Sequence, residues 1–241
     1  YSIYRNGTLI AENVTQTTYV DTAVSENSDY TYKVTAFNES GELVSAQTSI
    51  SFKPGDKFIR RLIYADGMFN DSAVDKDEYL NGVCCYNGSN DIRAASPVRR
   101  NNVEGVYCVK YDIDADTAQT LNSGTNPRLQ IRLVSGMKFP LEHISDGYIR
   151  LKLYVQTDTE ANLPLNSVIS VKNANGEWKE YSCPIDKSRV KPNQWNDLVL
   201  RLKDFSGTKK QLYPEMTGIN IRLPRNISPC SYYISDMALC Y

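Results

Sequence analysis

The feature that most constrains the fold is a two-residue alternation of apolar and polar side chains, repeated in short segments along the 241-residue chain. Residues 148–155 read YIRLKLYV, and residues 128–133 read RLQIRL. Successive side chains of a β-strand point to opposite faces, so this pattern predicts strands with one buried face. No segment keeps a helical period over three turns, and helix is expected only as isolated turns, for example at residues 75–79. The sequence therefore predicts an all-β fold.

The strand signals fall into two regions. Residues 1–52 contain short strand-like segments separated by turns, including Asn6-Gly7, a strong hairpin signal. Residues 53–57 contain Pro and Gly and are predicted to be a linker. Residues 58–241 are numerous enough to bury a separate core. Strands are predicted there at residues 61–64, 106–111, 128–133, 148–155, 168–171, 178–181, 198–202, 218–223 and 232–239.

The N-terminal region resembles the second half of a fibronectin type III domain. The similarity lies in YSIYRNGTLIA at residues 1–11, TTYVDTAV at 17–24 and DYTYKVTAFNESG at 29–41. The last of these includes Tyr30, which matches the tyrosine corner of such sandwiches. In that family two further strands would precede Tyr1, so the resemblance implies a partial β-sandwich and a chain that is a fragment of a longer one.

The larger region resembles the β-jelly-roll carbohydrate-binding modules of secreted bacterial glycan-degrading enzymes. The resemblance rests on the order of six motifs, YADGMF, EGVYCVKYDI, GYIRLKLYVQTD, VISVKNANGEWKEY, QWNDLVLRLKDF and YYISDMALCY. It implies a β-jelly-roll sandwich that binds polysaccharide without catalysis, as a monomeric module of a secreted or surface-attached bacterial protein. The alternative interpretation is a surface adhesin or a structural spacer that binds protein or no ligand.

The same resemblance implies a structural calcium ion that joins the start of this domain to its closing strand. Asp66 and Asp236 fall at the matching motifs, and Asn70 and Asp71 are candidate additional ligands. Carboxylate and amide oxygens suit Ca²⁺. The alternative is that Asp236 only ends a strand ladder or caps a loop.

Alternation also predicts an outward-facing basic surface without acidic residues. Guanidinium groups bind carboxylates through two parallel hydrogen bonds, so this surface predicts an anionic polysaccharide, of plant or host origin, as the partner. Trp178, after the Asn175-Gly176 turn, is predicted to stack on a sugar, whereas Trp195 is expected to be packed. The alternative is a solvated surface whose arginines pair with carboxylates of the loops. The predicted ligand-binding residues are Arg128, Arg132, Arg150, Lys152, Tyr154, Trp178 and Arg222.

Other classes of function are disfavoured by composition. Twenty-seven basic against 28 acidic residues give a net charge of −1, so neither nucleic acid nor an anionic membrane is an expected partner. The sequence has a single histidine, His143, and no G-x-S-x-G motif whose serine it could activate, so no enzyme activity is predicted. The six cysteines contain no C-x-x-C pair, which disfavours a zinc site. Disulfides and buried free thiols both stay open.

Overall fold

The computed structural model describes residues 1–16, 19–21, 23–24, 28–38, 41–44, 47–52, 59–65, 68–69, 83–87, 91–92, 98–133, 137–206 and 215–241. The chain forms two compact units, Tyr1–Ile59 and Arg60–Tyr241. The predicted linker at residues 53–57 and the helical turn at residues 75–79 lie outside the described residues. The predicted domain limits at residues 52 and 58 stay predictions.

The first unit contains one five-stranded antiparallel sheet. Its strands are β1 (Ser2–Arg5), β2 (Thr8–Ala11), β3 (Ser28–Asn38), β4 (Gly41–Val44) and β5 (Thr48–Phe52). The order is β2-β1-β3-β4, with β5 also pairing with β3. Between β1 and β2, Asn6 and Gly7 have φ of 50° and 79°, the two positive values that a type I′ hairpin turn requires. Residues 19–21, from the TTYVDTAV motif, lie in no strand.

The second unit contains two antiparallel sheets. Its strands are β6 (Ile59–Ala65), β7 (Met68–Phe69), β8 (Val83–Tyr86), β9 (Asp91–Ile92), β10 (Val98–Val103), β11 (Val106–Ile113), β12 (Arg128–Arg132), β13 (Tyr148–Gln156), β14 (Asn166–Lys172), β15 (Trp178–Pro184), β16 (Trp195–Arg201), β17 (Glu215–Arg222) and β18 (Cys230–Cys240). The seven-stranded sheet has the order β10-β11-β18-β13-β16, with β6 on β18 and β7 on β6. The six-stranded sheet has the order β15-β14-β17-β12-β8-β9.

One hydrophobic core lies between these two sheets. Tyr111, Ile149 and Leu239 of the seven-stranded sheet belong to the same buried cluster as Leu129 and Ile219 of the six-stranded sheet. The second unit is therefore a β-sandwich, and the predicted all-β class is confirmed. All nine predicted strands exist, as β6 and β11 to β18.

A short helix, α1 (Ala115–Asn122), follows β11 and was not expected from the sequence. The Asp114 carboxylate accepts a hydrogen bond of 2.8 Å from the backbone N–H of Thr117 and so caps the first turn. Ala118 and Leu121 are buried on its inner face. Eight residues make only two turns, which is too short for a helical period to stand out in the sequence.

No helix in the described part of the chain is long and apolar enough to span a membrane. Single 3₁₀ turns occur at Leu141–His143, Glu160–Asn162, Lys187–Arg189 and Leu202–Asp204.

All six cysteines are free thiols. Cys230 is half-buried and the other five are buried. Burial raises the pKa of the Cys108 and Cys230 thiols to about 11. The sequence left both disulfides and buried free thiols open. The structure has free thiols, which pack as small apolar side chains.

Candidate functional site

The residues predicted to bind a ligand lie on two surfaces that face in opposite directions. Each of these residues alternates with core residues of its strand, so it projects from the outer face of its sheet. Because the core lies between the sheets, their outer faces point away from each other. The expectation of a single binding surface is therefore wrong. The six-stranded sheet carries Arg128, Arg132, Trp178 and Arg222, and the seven-stranded sheet carries Arg150, Lys152 and Tyr154.

A groove of about 680 Å³ lies on the outer face of the six-stranded sheet. Its floor crosses β15, β14, β17, β12 and β8, which at the usual strand spacing is about 19 Å. In β12, Gln130 faces this groove while Leu129 and Ile131 on either side are buried in the core. The same alternation in the other strands supplies the rest of the floor. This groove is the candidate site.

An aromatic ring lies at each end of the groove. Trp178 on β15 is 62% exposed, and Tyr86 on β8 lines the opposite end. The Lys172 Nζ lies 5.7 Å from the centroid of the Trp178 ring. The Arg128 guanidinium lies 4.5 Å from the centroid of the Tyr86 ring. Cations over ring faces at these distances attract the ring quadrupole, and they help to hold both rings in place.

One carboxylate joins two arginines of the groove. Arg128 and Arg222 are direct neighbours across β12 and β17, and Glu180 from β15 accepts hydrogen bonds from both. The Arg222 Nη2 lies 2.8 Å from the Glu180 Oε2. A second pair joins the Lys172 Nζ to the Glu215 Oε1 at 3.4 Å. The expectation of an outward surface without acidic residues is therefore wrong.

The middle of the floor is recessed and polar. Gly218 lies between Ser170 and Arg132 in the strand register, so no side chain rises at that point. A Cβ there would lie 3.1 Å from the Ile131 carbonyl oxygen. The Asn220 Nδ2 donates a hydrogen bond of 2.9 Å to the Ser170 Oγ. The floor between the two aromatic rings is therefore lined by polar side chains, of which Ser170 is half-buried and Asn220 is almost fully buried.

The residues predicted on the opposite face form a different environment. The Tyr154 ring packs edge-on against Trp195 and Tyr233, with centroid distances of 5.5 and 5.6 Å. The Trp195 Nε1 donates a hydrogen bond of 3.2 Å to the Val103 carbonyl. Burial raises the pKa of Tyr154. These rings pack β13, β16 and β18 against one another, which agrees with the expectation that Trp195 is packed. Arg150 is exposed.

The predicted calcium ligands are only partly described. Asp66, Asn70 and Asp71 lie outside the described residues. Asp236 lies at a bulge of β18 with φ of 48°, and its Oδ2 is 3.2 Å from the Lys152 Nζ. Among the described residues no cluster of three or more His, Cys, Asp or Glu could hold a metal ion. Ca²⁺ takes six to eight oxygen ligands, so Asp236 alone would not bind it, and calcium stays a prediction.

His143 lies apart from the groove, in the 3₁₀ turn Leu141–His143. Its Nδ1 is 3.5 Å from the Asp146 Oδ1, and its ring stacks on Tyr241 with a centroid distance of 4.6 Å. These contacts give it a structural environment at the surface.

The groove residues that sequence reasoning missed include Tyr86, Lys172 and Glu180. Alternation from Trp178 would have placed Glu180 on the same face, because the two residues are separated by one position. Tyr86 gave no comparable signal, since its strand is only four residues long.

Comparisons with known proteins agree with the fold of the second unit. No protein-family model matches the sequence, and no curated protein matches it. A solved family 30 carbohydrate-binding module matches with a TM-score of 0.51 and 13% identity, covering 74% of this chain and 85% of its own. The family 30 module of a cellulosomal cellulase of Clostridium thermocellum matches with a TM-score of 0.51 and 13% identity, covering 74% of this chain and 95% of its own. The likeness is one of fold: the chain has the β-sandwich architecture of these modules.

Proposed function

We propose that the second unit binds a polysaccharide chain, without catalysis, in the groove of the six-stranded sheet. The observation that carries this proposal is the exposed Trp178 ring, with Tyr86 at the other end and a polar floor between them. The apolar face of a sugar stacks on an aromatic ring, with a gain of about 1–3 kcal/mol by analogy with base stacking. Sugar hydroxyls would exchange hydrogen bonds with polar groups of the floor such as the half-buried Ser170 hydroxyl. The shared fold of carbohydrate-binding modules supports the same conclusion.

The charge of the groove favours an anionic polymer over a neutral one. Among the described lining residues, four are cationic and two are carboxylates, namely Arg128, Arg132, Lys172 and Lys179 against Glu180 and Glu215. Arg222 adds a further cation beside them. The pairing with Glu180 and Glu215 makes this preference smaller than an acid-free surface would give. Affinity for an anionic polymer is therefore expected to fall as ionic strength rises.

The proposal extends to the protein that contains this chain. We infer a secreted or surface-attached bacterial protein in which this module holds a glycan-degrading enzyme close to its polymer, raising its effective concentration. The first unit would serve as a fibronectin type III spacer, and the module would act as a monomer. A structural calcium ion near Asp236 belongs to the same proposal. The test compares melting temperatures with calcium and with chelator, for the native chain and for Asp236→Ala. If calcium shifts the melting temperature of neither protein, the calcium proposal is contradicted.

Binding is tested by affinity electrophoresis and calorimetry with a polygalacturonate and a neutral β-glucan. Trp178→Ala should lower affinity about 5-fold or more, which corresponds to the loss of about 1 kcal/mol of stacking. The matched control for a groove cation is Arg150→Ala, on the opposite face, which should leave affinity unchanged, whereas Arg132→Ala should lower it.

Two results would contradict the proposal. If Trp178→Ala keeps full affinity and Arg150→Ala loses it, the binding site lies on the seven-stranded sheet. Absence of binding to every polymer tested would favour the adhesin or spacer interpretation.

A further inference from the structure

Arg128, Glu180 and Arg222 form one charged cluster on the outer face of the six-stranded sheet. Two arginines project side by side from adjacent strands, and neither faces a carboxylate on its neighbouring strand. The carboxylate instead comes from Glu180 on β15, with β14 lying between β15 and β17. The Arg128 side chain is only 11% exposed, so most of its charge is removed from water.

Glu180 and the arginines lie in different rows of the sheet. Glu180 lies opposite Ser170 on β14, and Ser170 lies opposite Gly218 on β17, whereas Arg222 lies opposite Asn166 of β14, four residues further along. The Glu180 and arginine side chains therefore extend towards each other along the floor of the groove, where their hydrogen bonds join them. The Glu180 side chain is 35% exposed and lines the groove, so a ligand can reach the carboxylate.

The chemistry of the pair does not require that its anion belong to the protein. Two adjacent guanidinium groups repel one another, and a carboxylate between them offsets the repulsion through charge-assisted hydrogen bonds. The carboxylate of an acidic sugar has the same charge and the same two acceptor oxygens as Glu180. Both would use the same donors, and they cannot do so together.

From this geometry we propose that Glu180 is an internal competitor for the anionic groups of a ligand and sets how strongly the groove prefers acidic polysaccharides. In the native protein the carboxylate of an acidic sugar must displace Glu180 to reach Arg128 and Arg222. When the charge of Glu180 is removed, the pair becomes available to the ligand. The inference rests on the proposed polysaccharide binding and names the residue that controls its ligand class.

The test compares Glu180→Gln with Glu215→Gln, because both changes remove one negative charge from the same groove. Glu215 pairs with the Lys172 Nζ. At low ionic strength Glu180→Gln should bind polygalacturonate about tenfold more tightly than the native chain, since a charge-assisted contact to two guanidinium groups is gained. Glu215→Gln should gain less. In Glu180→Gln the gain should be larger for polygalacturonate than for a neutral β-glucan, because neutral ligands gain no charge-assisted bond. Equal or weaker binding of polygalacturonate by Glu180→Gln would overturn the inference, as would an equal gain in the two variants.

A second measurement uses no polysaccharide and so separates this inference from the proposed function. Glu180→Gln leaves Arg128 without its carboxylate, and its melting temperature should fall. At the same ionic strength, sodium sulfate should raise the melting temperature of Glu180→Gln more than sodium chloride does. The difference between the two salts should be smaller for the native chain. Sulfate recovery without binding of any polymer would support the arginine pair as an anion site and contradict the proposed function. The native chain could bind the polymer while Glu180→Gln shows neither recovery by sulfate nor tighter binding of polygalacturonate. That result would overturn this inference and leave the proposed function standing. Glu180→Asp, whose side chain is too short to reach both arginines, should change in the same direction by less and serves if Glu180→Gln does not fold.

Discussion

At the scale of single residues, Asp112 shows how one side chain joins two strands of the seven-stranded sheet. Its Oδ1 accepts a hydrogen bond of 2.6 Å from the Ser231 Oγ on β18, and its Oδ2 accepts one of 2.9 Å from the Lys110 Nζ on β11. These bonds favour the charged carboxylate and lower the pKa of Asp112, with the Ser231 bond the larger cause.

This shift predicts a dependence of stability on pH. The native pKa lies below the unfolded value of about 3.9, so the contribution of Asp112 is complete only well above that value and is lost as pH falls through the native pKa. The side chain is 65% exposed, so the contribution is screened and should be within about 1 kcal/mol. Asp112→Asn should lower the free energy of unfolding at pH 6, and its difference from the native chain should shrink towards pH 3, measured by urea denaturation. Ser231→Ala should shift this loss to higher pH, and parallel pH profiles of native chain and Asp112→Asn would contradict the prediction.

At the scale of elements, alternation was sufficient to predict strands and the direction of their side chains but not their neighbours. Arg128 and Arg150 were both expected to face outward, and both do, yet they lie on different sheets. Strand order depends on pairing between distant segments, such as β8 with β12 and β12 with β17, which leaves no local pattern in the sequence. The pairing of Glu180 with two arginines follows from that order, so the sequence alone could not reveal it. Helix α1 was missed because its signal is confined to a cap and two turns.

The hairpin of β14 and β15 gives a prediction at this scale. Gly176 in its turn has φ of 80°, and no atom lies within 4 Å of a Cβ built there. Gly176→Ala should therefore cost about 1–2 kcal/mol through the backbone conformation alone. Gly176→Asn should cost less, since Asn tolerates positive φ. Urea denaturation measures both, and equal losses in the two variants would show that the φ value is not the cause.

At the scale of the whole molecule, the second unit has a core that draws on both of its sheets. A unit with its own core and complete sheets should fold independently of its neighbour. Residues 58–241, expressed alone, should therefore unfold in one cooperative transition, with the same midpoint seen by calorimetry and by tryptophan fluorescence. The full chain serves as the control. A broad transition, or different midpoints from the two methods, would contradict the predicted domain limit.

The alternation that produced the sandwich also separates two kinds of position on the same strands. In β12 and β14, core residues alternate with residues of the groove floor, and in β17 the alternation is interrupted only at Thr217 and Gly218, which both line the groove. Gln130, Ser170 and Asn220 can therefore be randomised together in a combinatorial library while each neighbouring core residue is kept. Selection from such a library would alter ligand preference on a fixed scaffold, with Gly218 retained to keep the floor open.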